Sequence, residues 1–330
     1  MKWNRCIVSN ILGHSQNVTK QWLSMSYLST FINEPEPTLP KIPNDFIKSL
    51  LNHKNNPKHQ WNVSDIDLEK DKQDWKNLSP QQKIVTLVVL SQFLHGEENV
   101  ARDIEPVLHL REREGKTDEA DFIRTFIEDE KKHAEFFQRY FDEVINDPTI
   151  DLAHYRLKNY SALFDKALPK AMNRLNDESL SDTKLASALV KAFITYNLVC
   201  EGVIAKTAYD GIMQAFKEQN ILPGLCQGLR HINTDEARHI AYGVMSIRNI
   251  IGEYGDTMKV LALTKFASLI PRSLATVQEI FKLEKPFPFE KPTLKGLIKN
   301  AWVHSMRRLK SINVGTQNAI AESAIAEEEK

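Results

Sequence analysis

Residues 122–137 read Phe-Ile-Arg-Thr-Phe-Ile-Glu-Asp-Glu-Lys-Lys-His-Ala-Glu-Phe-Phe. At helical spacing Phe122, Phe126, Glu130, His133 and Phe137 follow one another at intervals of four, four, three and four, so all five share one face. The predicted core-facing stripe therefore carries a carboxylate and an imidazole among phenylalanines. Leu229, Ile232, Glu236, His239 and Gly243 repeat the arrangement. Glu97 sits between Phe93 and Val100 on a third apolar stripe, and Glu201 follows Ile194, Asn197 and Leu198 on a fourth.

Four buried carboxylates cannot stay ionised without compensating positive charge, because isolated burial is costly enough to force protonation. Two multivalent cations resolve this. Carboxylate and imidazole donors suit iron and manganese better than thiolate-seeking metals, and bridging carboxylates hold such ions about 3.5 to 4 Å apart. Glu-x-x-His alone is a weak signal: with ten histidines in the chain, chance gives it twice with odds on the order of one in ten at average Glu frequency. The layout strengthens it, since Glu97 precedes Glu130 by 33 residues and Glu201 precedes Glu236 by 35. The competing readings are surface ion pairs or satisfied core histidines. One Glu from each of two helices, with Glu-x-x-His from each of two others, is the ligand pattern of ferritin-like di-metal bundles.

Outward from these stripes the chain reads as all-α. Glycine is scarce at 12 of 330 residues, alternating patterns are rare, and apolar residues recur at three and four positions. The periodicity predicts helices over 45–53, 79–113, 118–145, 153–175, 182–218, 222–254, 256–283 and 294–312. Ser79 followed by Pro80 is a good helix start. Such lengths with short connections predict antiparallel neighbours in one bundle, and Pro271 is expected to kink the helix it interrupts. The segment from Trp61 to Trp75 reads as a loop. The expected division is a leader and proline-bearing entry over 1–43, a single helical di-metal domain over 44–315, and a flexible Ala- and Glu-rich tail over 316–330.

Lys plus Arg equals Asp plus Glu at 43 each, so no net field recommends nucleic acid or an anionic membrane. Cys6, Cys200 and Cys226 are odd in number and far apart, indicating neither a disulfide framework nor a thiolate site. Cys200 reads as a small buried hydrophobe. The clearest apolar run, Ile84 to Leu90, is too short to span a bilayer, and a cytoplasmic protein is expected. The acid-free stretch 1–33 loosely resembles a transit peptide; the plainer readings are a disordered leader, or Met25 as the true start. The basic runs Arg111 to Arg113 and Met306 to Lys310 read as solvated faces.

On these residues the chain is similar to the ribonucleotide reductase small-subunit superfamily over about residues 55 to 285, including the segment from Trp61 to Trp75. Within it, Gly96-Glu97-Glu98-Asn99-Val100 and Tyr196, five residues before Glu201, resemble the R2-like ligand-binding oxidases. That resemblance implies one manganese and one iron per chain, or two irons, with Glu97, Glu130 and His133 at one ion and Glu201, Glu236 and His239 at the other. It implies dioxygen as oxidant, a long-chain fatty acid across the metals, an ether bond between Val100 and Tyr196, and a homodimer. Trp61 and Asp235 match positions that support the metals or carry electrons to them. Joining a phenol oxygen to an unactivated carbon requires an oxidised metal centre and is beyond any side-chain base.

Tyr196 and Glu201 lie about 140° apart on an ideal α-helix, at about 100° per residue. A π-bulge near residues 196–201 is therefore predicted. The alternative function is a ribonucleoside-diphosphate reductase small subunit. Phe137 stands where tyrosyl-radical members carry Tyr, but the manganese/iron members lack that Tyr too; against the reductase reading stands rather that the last Tyr of the sequence is Tyr254, where a relay Tyr is expected nearer the C terminus. Metal storage leaves Val100 and Tyr196 unexplained.

Overall fold

The computed structural model describes residues 45–313; the expectations for the leader, for Cys6 and Met25, and for the tail lie outside the described residues. Among the described residues every regular element is helical. The long elements are α1 Phe46–Lys54, α2 Glu69–Asn77, α3 Pro80–Asp103, α4 Glu105–Arg113 and α5 Thr117–Tyr140. Short pieces α6 Lys158–Ser161 and α7 Leu168–Asn173 lead to α8 Asp182–Lys217, α9 Pro223–Tyr254, α10 Asp256–Ile280 and α11 Leu294–Asn313.

Local chemistry sets the ends. The Ser79 hydroxyl accepts from the Gln82 amide while the Gln82 side chain accepts from the Ser79 amide, a closed capping box with Pro80 in the first turn. The helix expected over 79–113 breaks at Ile104, and α4 starts afresh with Pro106 in its first turn, where a missing amide hydrogen does least harm. The expected 153–175 helix is likewise a chain of short pieces. The helical assignment of α10 runs on through Pro271.

The loop expected between Trp61 and Trp75 contains instead a 3-10 turn at Val63–Asp65 and most of α2. Its polar sequence hides what it does. Asp71, fully buried, accepts from the amides of Gly224 and Leu225 at 2.8 Å each and from the Tyr140 hydroxyl at 3.0 Å, and Asp74 accepts from the Leu222 amide at 2.9 Å. Two carboxylates of α2 thus satisfy the free amides of α9, a cap supplied from a distant part of the chain.

The two basic runs read as solvated are partly buried. Arg111 is 4% exposed, bonded to Tyr242, Glu114 and Glu119; Arg308 is 1% exposed and donates to the Gly202 carbonyl at 3.3 Å. Each guanidinium is buried because acceptors meet it there.

α8 and α10 are both long and apolar enough, by length and composition, to cross a membrane. The apolar window of α8 is 89% buried within the bundle, as a central helix requires, and that of α10 is 44% buried. Two apolar clusters fill the interior. One gathers Val100, Phe126, Ile127, Ile204 and Ile240; the other gathers Phe93, Leu94, Phe136, Tyr209 and Ile232. Along α5 and α9 the change from one cluster to the other falls where the acidic and imidazole side chains stand.

Candidate metal centre

α3 brings Glu97, α5 brings Glu130 and His133, α8 brings Glu201, and α9 brings Glu236 and His239. All six are at most 6% exposed. Ligand-type atoms of Glu97, Glu130, His133 and Glu236 lie within 4.8 Å of one another, and so do those of Glu130, Glu201, Glu236 and His239. The six residues singled out by spacing therefore converge, with one refinement. Glu130 and Glu236 belong to both groups, as bridging carboxylates between two ions would.

The helix around Glu201 has the irregularity that the angular conflict demanded. α8 is α-helical over Asp182–Phe193, π-helical over Ile194–Ala205, α-helical over Lys206–Ile212 and π-helical over Met213–Lys217. Hydrogen bonds from each residue to the fifth one along bring Tyr196 and Glu201 toward one face. Asn197 donates to Glu201 at 2.9 Å and to the His239 carbonyl at 3.2 Å. Gly243 permits this: a Cβ there would stand 2.5 Å from the Cβ of Asn197.

Among the described residues, five buried atoms facing the cluster find no hydrogen-bond partner: Oε2 of Glu130, Nδ1 of His133, Oε1 of Glu201, Oε2 of Glu236 and Nδ1 of His239. Nδ1 of His133 is 3.6 Å from Glu97 and 3.5 Å from Glu130, and Nδ1 of His239 is 3.1 Å from Glu130 and 3.6 Å from Glu201. Orphaned buried polar atoms are costly, and these converge on common points. Oxygen and imidazole donors so placed fit two first-row divalent ions.

The other imidazole nitrogens are held from outside the cluster. Nε2 of His133 is 3.2 Å from Asp235, which also accepts from the Trp61 indole at 2.9 Å; Nε2 of His239 is 3.3 Å from Asp129. With Nε2–H given to an aspartate, Nδ1 presents its lone pair inward. Lys132 and Arg238 lie beside both aspartates, Lys54 pairs with Asp129, and Lys132 sits 4.4 Å above the Trp61 ring. Asp129 was missed by sequence reasoning, although Asp-Glu-x-x-His stands at both 129–133 and 235–239.

Without cations the carboxylates titrate apart. Burial and the Glu130 charge push Glu97 up to about 8. Burial, with the charges of Glu201 and Glu130, pushes Glu236 well up, and burial raises Glu201. Against the opposing effect of burial, the neighbouring imidazoles of His133 and His239 hold Glu130 well below the usual carboxylate range. Both imidazoles are raised in turn, again against burial: His133 chiefly by Asp235 and Glu130, His239 chiefly by Asp129 and Glu130.

Glu97, Glu130, Glu201 and Glu236 open onto an otherwise largely apolar cavity that Val100, Tyr196 and Cys200 also line, and that reaches Thr276, Val277 and Leu297. The Tyr196 hydroxyl donates to Glu130 at 2.9 Å. Burial pushes the Cys200 thiol well above its ordinary value, which fits an inert filler.

Residues 44–287 match the family model of the ribonucleotide reductase small chain. Among solved structures, an R2-like ligand-binding oxidase with aerobically reconstituted Mn/Fe cofactor is 30% identical, over 82% of this chain and 93% of that one, with a TM-score of 0.73. A variant of R2-like ligand-binding oxidase with anaerobically reconstituted Mn/Fe cofactor is 31% identical over 82% and 93%, also at 0.73. A second such variant is 28% identical over 92% of this chain and all of that one, at 0.73.

Proposed function

The chain belongs to the R2-like ligand-binding oxidases of the ribonucleotide reductase small-chain family, and we propose that it is a Mn/Fe, oxygen-activating oxidase that joins its own Val100 and Tyr196. The observation carrying this is the convergence of orphaned donor atoms beside one cavity that holds both residues. Glu97, Glu130 and His133 would hold one ion and Glu201, Glu236 and His239 the other. The metal-binding unit is a single helical domain over 44–315, acting in the cytoplasm as a homodimer. A long-chain fatty acid is the proposed ligand. Among the described residues the cavity wall has no cationic side chain, so an acid's carboxylate would find its positive charge at the metal end, leaving the acyl chain among Phe164, Ile204 and Val277.

When bound, the metal pair supplies the capacity to reduce dioxygen and to remove strongly held hydrogens. The residues do the rest. Glu130 holds the Tyr196 hydroxyl at 2.9 Å and fixes the direction of its proton. Burial keeps that phenol protonated until its hydrogen is taken. Val100, 3% exposed, presents an aliphatic carbon to the same cavity. Trp61 and Asp235 position His133 and offer a hydrogen-bonded line toward the surface.

Forming the ether removes one hydrogen from the Tyr196 oxygen and one from a Val100 carbon. The test is anaerobic loading with Mn(II) and Fe(II), exposure to air, and peptide mass spectrometry. The expected result is a peptide pair joined through Val100 and Tyr196 and lighter by two hydrogens. Absence of the joined pair, together with nucleotide reduction in the presence of a reductase large subunit, would reverse the assignment.

A further inference from the structure

Tyr242 stands one helical turn beyond His239 on α9, fully buried, and its hydroxyl donates to Glu119 at 2.8 Å. Arg111 donates its Nε to the same hydroxyl at 3.1 Å and lies 2.8 Å from the same Glu119 oxygen. Aromatic rings connect this group to the candidate metal centre without a gap. The Tyr242 ring stacks on Phe122 at 4.9 Å, Phe122 meets Phe126 edge-on at 6.2 Å, and Phe126 stacks on His239 at 3.5 Å. Phe126 also faces Tyr196 at 5.7 Å. On the other side, Arg111 and Glu119 line a surface cavity of about 300 Å³ with Glu114, Lys116, Asp182 and Glu253. A phenol with a proton acceptor in contact, a short ring path to the candidate metal centre, and an opening to solvent behind that acceptor are the parts that a one-electron relay needs.

From this geometry we infer that Tyr242 is a redox-active tyrosine, carrying single electrons from a small neutral or cationic reductant at the Glu119 cavity to the metal pair. The cavity's acidic majority disfavours an anionic donor. The inference rests on the function proposed above. Dioxygen takes four electrons on its way to water, and two leave a pair of divalent ions that each rise by one charge. When Val100 and Tyr196 join, their two hydrogens bring the other two. Otherwise the electrons must come from elsewhere. Tyr242 gives one electron along Phe122 and Phe126 and its phenolic proton to Glu119. The reductant's electron and the returning proton restore the phenol, and a second cycle supplies the last electron. Protons completing water come from solvent.

The test uses the full chain carrying Tyr196→Phe, which cannot form the ether, loaded with Mn(II) and Fe(II), mixed with dioxygen and freeze-quenched. Metal content is measured on the same samples. A tyrosyl radical is expected by electron paramagnetic resonance, narrowed by ring-deuterated tyrosine and lost in Tyr196→Phe/Tyr242→Phe. Adding Glu119→Gln to Tyr196→Phe keeps the ring path but removes the proton acceptor, and is expected to weaken the signal and slow its appearance. Adding ascorbate and, separately, a cationic phenylenediamine should discharge the radical faster with the cation. A signal that survives loss of Tyr242, or oxidised metals with no tyrosyl signal in Tyr196→Phe, overturns the relay while leaving the oxidase reading intact. A chain that takes up no metal overturns both, and the metal analysis separates that case.

Discussion

Nε2 of His239 on α9 lies 3.3 Å from Oδ2 of Asp129 on α5, the residue beside Glu130. The mirror relation holds between His133 and Asp235, at 3.2 Å. Each Asp-Glu-x-x-His unit therefore contributes a carboxylate and an imidazole to the cluster and an aspartate that orients the other unit's imidazole. The two helices can present lone pairs inward only when paired in this register.

Asp129→Asn keeps the shape but can present its amide to Nε2, which weakens the preference for the inward Nδ1 lone pair. Metal affinity is expected to fall by roughly 10- to 100-fold, read by competition with a chromophoric chelator. Asp235→Asn should do the same through His133. Unchanged affinity in both variants would remove the orienting role.

Stability should respond to pH differently with and without metal. Burial and the Glu130 charge raise Glu97 from 4.5 to about 8 in the metal-free chain, and Glu201, Glu236 and both imidazoles are also raised. Between the unfolded and folded values the folded chain holds protons that the unfolded chain has released, so metal-free stability falls as pH rises. Glu130, Asp129 and Asp235 are held low and stay ionised across that interval, adding no slope. Bound cations replace the protons. The Tm difference between loaded and metal-free protein should thus widen from about pH 5 to about pH 8; a difference that narrows contradicts the electrostatics.

Gly243→Ala places a methyl 2.5 Å from the Cβ of Asn197. Overpacking of this kind costs typically about 1–3 kcal/mol. Because Asn197 holds Glu201, metal occupancy should fall together with the urea midpoint. A variant as stable as the parent, with full occupancy, would mean that α8 and α9 need no such close approach.

Val277→Trp fills the cavity from its α10 wall. If the cavity seats an acyl chain, solvent extraction and mass spectrometry should find shorter acids than in the parent protein, with unchanged metal content. The same distribution of lengths in both would show that the chain lies elsewhere.

The six acidic and imidazole residues were legible because a carboxylate at a core position of an apolar helix is anomalous against its neighbours. The π-helical turn was legible for a related reason: Tyr196 and Glu201 could not otherwise share a face. Asp129 was not, since among Glu128, Asp129, Lys131 and Lys132 one more charge looks like solvated surface, and only its contact with α9 distinguishes it. Arg111 and Arg308 escaped notice likewise, because the acceptors that permit their burial lie on other elements. α2 has no apolar repeat from which to read a helix; its register is set by the α9 amides that Asp71 and Asp74 receive. The break at Ile104 was masked because the apolar spacing continues through it into α4.

The π-helical run Ile194–Ala205 ties chain length to chemistry. Ordinary α-helical winding of the same residues would set Glu201 about 140° from Tyr196, whereas the loss of one residue between them would leave them four apart and about 40° from each other. A chain one residue shorter between these two positions could keep both side chains on one face without any π-helical turn.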